Sequence, residues 1–360
     1  MWQRIWRGWD WTIVICTLLL VAIGISVIGS ATHVNQTGIT AQSMVLRQFL
    51  FFLINAVLVV LMSTFDYRRL KDYSKWIYGI TILLLVAVMA VGTSALGAQR
   101  WIQLGPITLQ PSEFTKFLMI VCMAKMMERK IGKLNSFREV LPTFIYILVP
   151  TALVFLQPDL GTSLVYMAIY MGLLYIAGIR MKLVRIVLGI GLVLAPFGWF
   201  ALKEYQKQRI LVFLNPNIDP YGSGYHIIQS KIAIGSGLLF GKGLFQGTQS
   251  QLNFLPENHT DFIFSVIGEE LGFVGCMVVL FLMFMLIYRA IRIAYTARDN
   301  FGMLLAAGIA TYFTFQIMVN VGMTTGIMPV TGIPLPFISY GVSALTTNML
   351  AVGLLLNISM

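Results

Sequence analysis

The sequence predicts an all-α polytopic membrane protein with about ten transmembrane helices, and three observations predict it. Hydrophobic residues make up 58% of the 360 positions and charged residues only 11%, against about 25% charged in soluble domains. The apolar residues fall into separate runs near 20 residues, the length of helix that crosses about 30 Å of hydrocarbon with its backbone satisfied internally. Lys and Arg are distributed very unevenly between alternate connections.

The runs cover 11–30, 46–64, 74–93, 112–127, 140–157, 160–179, 184–202, 262–287, 301–323 and 337–358. The first follows Arg4, Arg7 and Asp10. It is too long for a signal h-region and has no small-residue cleavage site, so it is expected to remain as an anchor. With the N-terminus inside, the inner segments hold the basic residues at 4–7, 68–75, 125–138, 180–185 and 289–298, which are 17 of the 25 Lys and Arg. Short cytoplasmic loops retain positive charge, so both termini are expected in the cytoplasm. The excess of 25 basic over 14 acidic residues then serves topology and anionic headgroups, with no nucleic acid implied.

No repeat, heptad or soluble domain stands out, and 1–360 reads as a single transmembrane domain. Its one long connection, 203–261, is expected on the extracytoplasmic face between helices 7 and 8. The partly apolar stretch from Tyr225 to Phe245 gives part of that loop the character of a re-entrant or membrane-lying segment. Cys16, Cys122 and Cys276 lie in apolar runs without metal-binding spacing, and His33, His226 and His259 share no metal-ligand spacing, so redox and zinc chemistry are not suggested.

On this topology four polar clusters share the outer side. They are Gln110 to Glu113, Gln157 to Asp159, Pro256 to Asp261, and Pro329 to Gly341. A carrier places its binding groups near the midplane on broken helices, whereas a catalyst acting on lipid headgroups needs them near one interface. Each acid has a plain alternative. Thr260 or Asp261 could equally cap the eighth span, because either side chain can accept the first backbone N–H bonds. Glu113 and Lys116 are three apart on one helical face, so they are expected to form an ion pair that is structural or holds an anionic substrate. Asp159 carries the same two readings. Glu269 and Glu270 lie about 12 to 14 Å deeper than Asp261, as hydrogen-bonded helix contacts or as parts of a proton path.

Read as strings, the clusters resemble the SEDS family of polymerases (shape, elongation, division and sporulation) over nearly the whole chain. The motifs are Trp101-Ile-Gln-Leu-Gly105 with Gln110-Pro-Ser-Glu-Phe-Thr-Lys116, Gln157-Pro-Asp-Leu-Gly-Thr162, Tyr225-His-Ile-Ile-Gln-Ser-Lys231, and Phe254-Leu-Pro-Glu-Asn-His-Thr-Asp-Phe-Ile-Phe264. Gly247-Thr-Gln-Ser-Gln-Leu252 looks like the elongation branch rather than the division branch. One departure is Gly341-Val-Ser-Ala-Leu345, where many members have Gly-Gly-Ser-Ser-Leu.

The resemblance implies a peptidoglycan glycosyltransferase of the bacterial inner membrane that polymerises lipid II. The growing glycan is held on polyprenyl pyrophosphate beside a class B penicillin-binding protein and other elongation-complex membrane proteins. Asp261 matches the family's essential aspartate and would be the general base on the acceptor sugar 4-hydroxyl in an inverting transfer. His259 is placed with it in a supporting role. Lys116, Arg209, Lys231, Lys242 and Arg100 are the outer-face cations for the pyrophosphate leaving group, with a divalent ion such as Mg or Mn as a further source of charge. Two other classes stay open on the residues alone, a flippase of lipid-linked sugars and a noncatalytic scaffold. The flippase requires essential charges along a midplane path, and the scaffold tolerates loss of Asp261.

Overall fold

A computed structural model describes residues 8–33, 38–95, 98–105, 107–187, 189, 193, 200, 204–219, 222–252 and 254–360. In order, α1 is Trp11–Thr32, α2 Gly38–Thr64 and α3 Leu70–Val91. Three short strands follow, β1 Thr93–Ala95, β2 Ala98–Leu104 and β3 Ile107–Leu109, and then α4 Pro111–Glu128, α5 Phe137–Leu156 and α6 Leu160–Ile176. The second half holds α7 Glu204–Leu214, α8 Ser223–Ser236, α9 Thr248–Gln251, α10 Ile263–Thr296, α11 Asn300–Thr325 and α12 Val342–Ser359.

Seven helical segments are long and apolar enough to cross a membrane: Trp11–Thr32, Ser43–Thr64, Tyr67–Val91, Phe137–Leu156, Ile263–Thr296, Asn300–Thr325 and Val342–Ser359. The expected spans at 112–127 and 160–179 are helices as well, α4 and α6. α6 is shorter, at 17 residues. α4 carries Glu113, Lys116, Lys125 and Glu128. Residues 181–187 are helical, and the remainder of the expected seventh span lies almost entirely outside the described residues.

Two expectations are corrected. The chain is not purely helical, because β1, β2 and β3 pair in that order as an antiparallel meander, with Thr93 opposite Trp101 and Ile102 opposite Leu109. Gly105, at φ 62°, supplies the left-handed turn before β3. The connection 203–261 is also no bare loop, since it contains α7, α8 and α9. α8 packs on α10 and α11, where the Ser230 hydroxyl lies 2.6 Å from Ser265 Oγ and donates to the Thr324 carbonyl at 2.6 Å.

Beyond α8 the chain runs down α10 to the level of Gly272 and turns back. The amides of Lys242 and Gly243 donate to the carbonyls of Glu269 and Glu270, and those of Phe273 and Val274 to Leu238 and Leu239. Those bonds open the helix, and Gly272 leaves helical geometry inside α10 at φ 66°. Such a backbone exchange needs residues without a side chain at the crossing. A Cβ on Gly241, at φ 79°, would stand 2.1 Å from the Glu270 carbonyl oxygen. Gly241→Ala is therefore expected to destabilise the protein by about 2 kcal/mol or more, read as a lowered unfolding midpoint in detergent; an unchanged midpoint would mean that the crossing relaxes freely.

The side-chain contacts separate two ends of the bundle. At one end Asp10 caps α1 and pairs with Arg289, Asp299 caps α11 and takes Tyr67 and Arg68, Lys71 pairs with Glu128, and Arg298 donates to the Met360 carbonyl. At the other end the meander, the Gln157–Leu160 turn, the segment 254–262 and the connection 326–341 converge. α11 with α10, α6 with α11, and α2 with α12 form the packed interior between them.

Candidate active site

At this second end lies a cavity of about 630 Å³. α4 contributes Glu113 and Lys116 to its wall, the meander Arg100 and Trp101, and α7 Arg209. Asp159, Glu257, His259, Asp261 and Tyr340 complete its polar lining together with Arg47 of α2.

Asp261 stands just before α10, whose N-cap is Phe262 with no side-chain cap bond. The capping alternative for Asp261 and Thr260 is thereby excluded, and the Thr260 hydroxyl donates instead to Glu257 Oε2 at 3.0 Å. Among the described residues no hydrogen bond or ion pair engages the Asp261 carboxylate. Opposite it, the position of a Cβ on Gly332 would be 3.3 Å from Asp261 Oδ2, so only hydrogen faces the acid there. Asp261 opens toward the cavity but is enclosed by protein elsewhere. Burial pushes its carboxyl up to about 6, Glu257 adds to the rise, and Arg209 and Arg100 oppose it.

The other acids are engaged. Lys116 Nζ donates to Glu113 Oε1 at 2.7 Å, with both side chains buried. The ammonium also lies 5.7 Å from the Tyr312 ring centre, and Glu113 Oε2 has no partner among the described residues. Asp159 caps α6 by accepting from the Thr162 amide at 3.1 Å and the Thr162 hydroxyl at 2.9 Å. Arg100 Nη1 is 3.9 Å from Asp159 Oδ1, and its guanidinium donates to the carbonyls of Gln157 and Pro158. The meander thus holds Arg100 against the cap of α6, facing the cavity.

His259 is half-buried, its carbonyl accepting from the Tyr340 amide at 2.9 Å and its ring 5.9 Å from that of Tyr340. Burial lowers its imidazole below the ordinary value, with Glu257 pulling the other way. His259 is therefore a neutral polar group at pH 7, leaving positive charge to Arg47, Arg100, Lys116 and Arg209.

Two expected site residues are not brought to the cavity. Lys242 donates to the buried Glu269 at 2.7 Å, and Lys231 lies over Gly326, its ammonium 2.6 Å from where a Cβ would be. Glu269 also accepts from the Gln249 and Ser250 amides, and Glu270 from the Ser30 hydroxyl at 2.6 Å. These two acids are the hydrogen-bonded contacts of the plainer reading, holding the descending segment to α10. Conversely, Arg47 was legible only as a topological charge, and Asn320, buried in α11, showed only as an amide in an apolar run.

The family model for the FtsW, RodA and SpoVE proteins, described as cell cycle protein, matches residues 10–360. The chain belongs to this family. Peptidoglycan glycosyltransferase MrdB of Escherichia coli K12 is 40% identical over 351 residues, 97% of this chain and 94% of that protein. A chain from a peptidoglycan synthase complex, described as coordinating polymerization and crosslinking, matches with a TM-score of 0.83 and 32% identity over 98% of this chain and 97% of its own. Thermus thermophilus rod shape determining protein RodA matches with a TM-score of 0.72 and 30% identity over the same shares. The SEDS resemblance is thereby shown over residues 10–360, and Trp101, Gln110, Glu113, Lys116, Asp159, Thr162 and the 257–261 segment of its motifs line the cavity.

Proposed function

We propose that the protein is a peptidoglycan glycosyltransferase that polymerises lipid II, with Asp261 as its general base. The observation that carries this reading is an unengaged carboxylate, raised toward neutrality, on the wall of a cavity that also presents Arg47, Arg100, Lys116 and Arg209. The acceptor 4-hydroxyl attacks the donor anomeric carbon from the face opposite the pyrophosphate. As the new C–O bond forms, its proton passes to Asp261 and the bond to pyrophosphate breaks with its electron pair on oxygen. Arg100, Arg209, Arg47 and Lys116 are the cations available to that developing charge.

Among the described residues no group of three or more His, Cys, Asp or Glu could hold a metal ion. A divalent ion that contributed would take most of its ligands from the pyrophosphate and water, and no step above is routed through it.

The end bearing Arg68, Lys71, Arg289 and Arg298 is the cytoplasmic one in this reading, which puts both termini inside and the cavity on the extracytoplasmic side of the inner membrane. A class B penicillin-binding protein is the expected partner, supported by the similarity to a chain of a peptidoglycan synthase complex. The test uses the purified protein with that partner and labelled lipid II. Glycan polymer is the expected product; movement of lipid II across vesicles without polymer would replace this reading with the flippase one.

A further inference from the structure

The base at Asp261 stands on a loop, and a buried side chain outside the cavity lining fixes where that loop lies. Asn320, in the last two turns of α11, is fully buried. Its Nδ2 donates to the Asp261 backbone carbonyl at 3.0 Å and to the Ile333 carbonyl at 2.8 Å. Its Oδ1 has no partner among the described residues. The two carbonyls can only accept, so they set the orientation of the amide with its NH2 toward them, and both of its protons are used.

Resting on the polymerase reading, we propose that Asn320 is a positioning residue for the transfer. It ties the loop that carries Asp261 to the connection that carries Gly332, and so sets the separation of the two cavity walls at the base. Three observations meet here. Phe262 starts α10 without a side-chain cap, so the helix does not hold Asp261 by that means. On the 326–341 side, the next residue before Ile333 is Gly332, at φ 75°, facing Asp261 Oδ2. The same wall is held at a second point, where the Ser339 hydroxyl donates to the Thr260 carbonyl at 2.7 Å. Among the described residues Asn320 is thus the one side-chain tie from a helix of the packed interior directly to the base's own peptide, while the Ser339 bond joins loop to loop.

An amide at this place acts on geometry and not on charge, because it touches neither the carboxylate nor the cavity. Displacing a reacting group by about 1 Å costs on the order of 100-fold in rate, with little effect on distant contacts to the lipid carrier. Asn320→Leu, close in volume and without donors, is expected to lower kcat about 100-fold and leave KM for lipid II within about twofold. Because a released loop admits water to Asp261, the midpoint of the pH–rate profile is also expected to move to lower pH.

The experiment compares wild type, Asp261→Asn and Asn320→Leu with the penicillin-binding partner, after detergent melts have shown that each is folded. Should the leucine variant not fold, Asn320→Ser carries the same expectation, since the space it opens lets water satisfy the two carbonyls. Unchanged kcat in the folded variant, or a loss accompanied by an equal rise in KM with the pH midpoint fixed, overturns the positioning role. Polymerisation that survives Asp261→Asn overturns the underlying reading, and the Asn320 inference falls with it.

Discussion

Asp261→Asn is expected to lower lipid II polymerisation by about 10²- to 10⁴-fold while the protein remains folded. The amide has nearly the shape of the acid, and no hydrogen bond or ion pair from the described residues is lost with the carboxylate. Only the capacity to take a proton disappears. The same group sets a pH dependence whose sign follows from its role. A base works in its ionised form, and burial holds the Asp261 carboxyl up to about 6. The rate is therefore expected to rise about tenfold per pH unit below that value and to level off above it. A rate in the folded Asp261→Asn variant equal to wild type would remove Asp261 from the chemistry. A profile flat from pH 5 to 8 would show that proton transfer to this group does not limit the reaction.

Lys116→Met is expected to have the largest effect on stability. The wild-type ammonium is 1% exposed and donates to Glu113 at 2.7 Å. Methionine fills similar space but leaves Glu113 as a buried charge whose second oxygen already has no partner among the described residues. Breaking such a pair costs about 3 to 5 kcal/mol, whereas replacing both members with neutral residues of similar volume is far milder. Thermal unfolding in detergent should accordingly show a large loss in Lys116→Met and a substantial recovery when Glu113→Gln is added. Equal midpoints for Lys116→Met and wild type would mean that water reaches the pair. Glu113→Gln alone is expected to lower polymerisation in a folded protein, because Lys116 is then freed from the position that its acid partner sets beside the cavity.

Much of this was legible in the residues, for identifiable reasons. Apolar runs of bilayer length specify helices because lipid offers the backbone no other partner, so nine expected spans coincide with helices. The i,i+3 spacing of Glu113 and Lys116 sufficed for their contact. What failed needed tertiary information. The strands at 93–109 are short and draw on pairing between neighbours rather than on a strong local pattern. Charge and exposure made Lys242 look available, but its fate depended on the chain descending beside α10 to meet Glu269. The same descent explains why two adjacent acids lie deep in the bundle without forming a path. Asp261 could be separated from a helix cap only by seeing where α10 begins.

The charge content of α4 bears on how the protein is made. Glu113 and Lys116 near its start and Lys125 and Glu128 near its end keep this helix out of the set apolar enough to cross a membrane alone, and each charge weakens its insertion as an isolated segment. During synthesis α4 is therefore expected to partition poorly into lipid as an independent segment. Its entry is expected to be helped by α3, against which it packs, and by Lys71, the partner of Glu128. The charges that serve the cavity at one end of α4 and the ion pair at the other thus make this helix the one expected to depend most on its neighbours for membrane insertion.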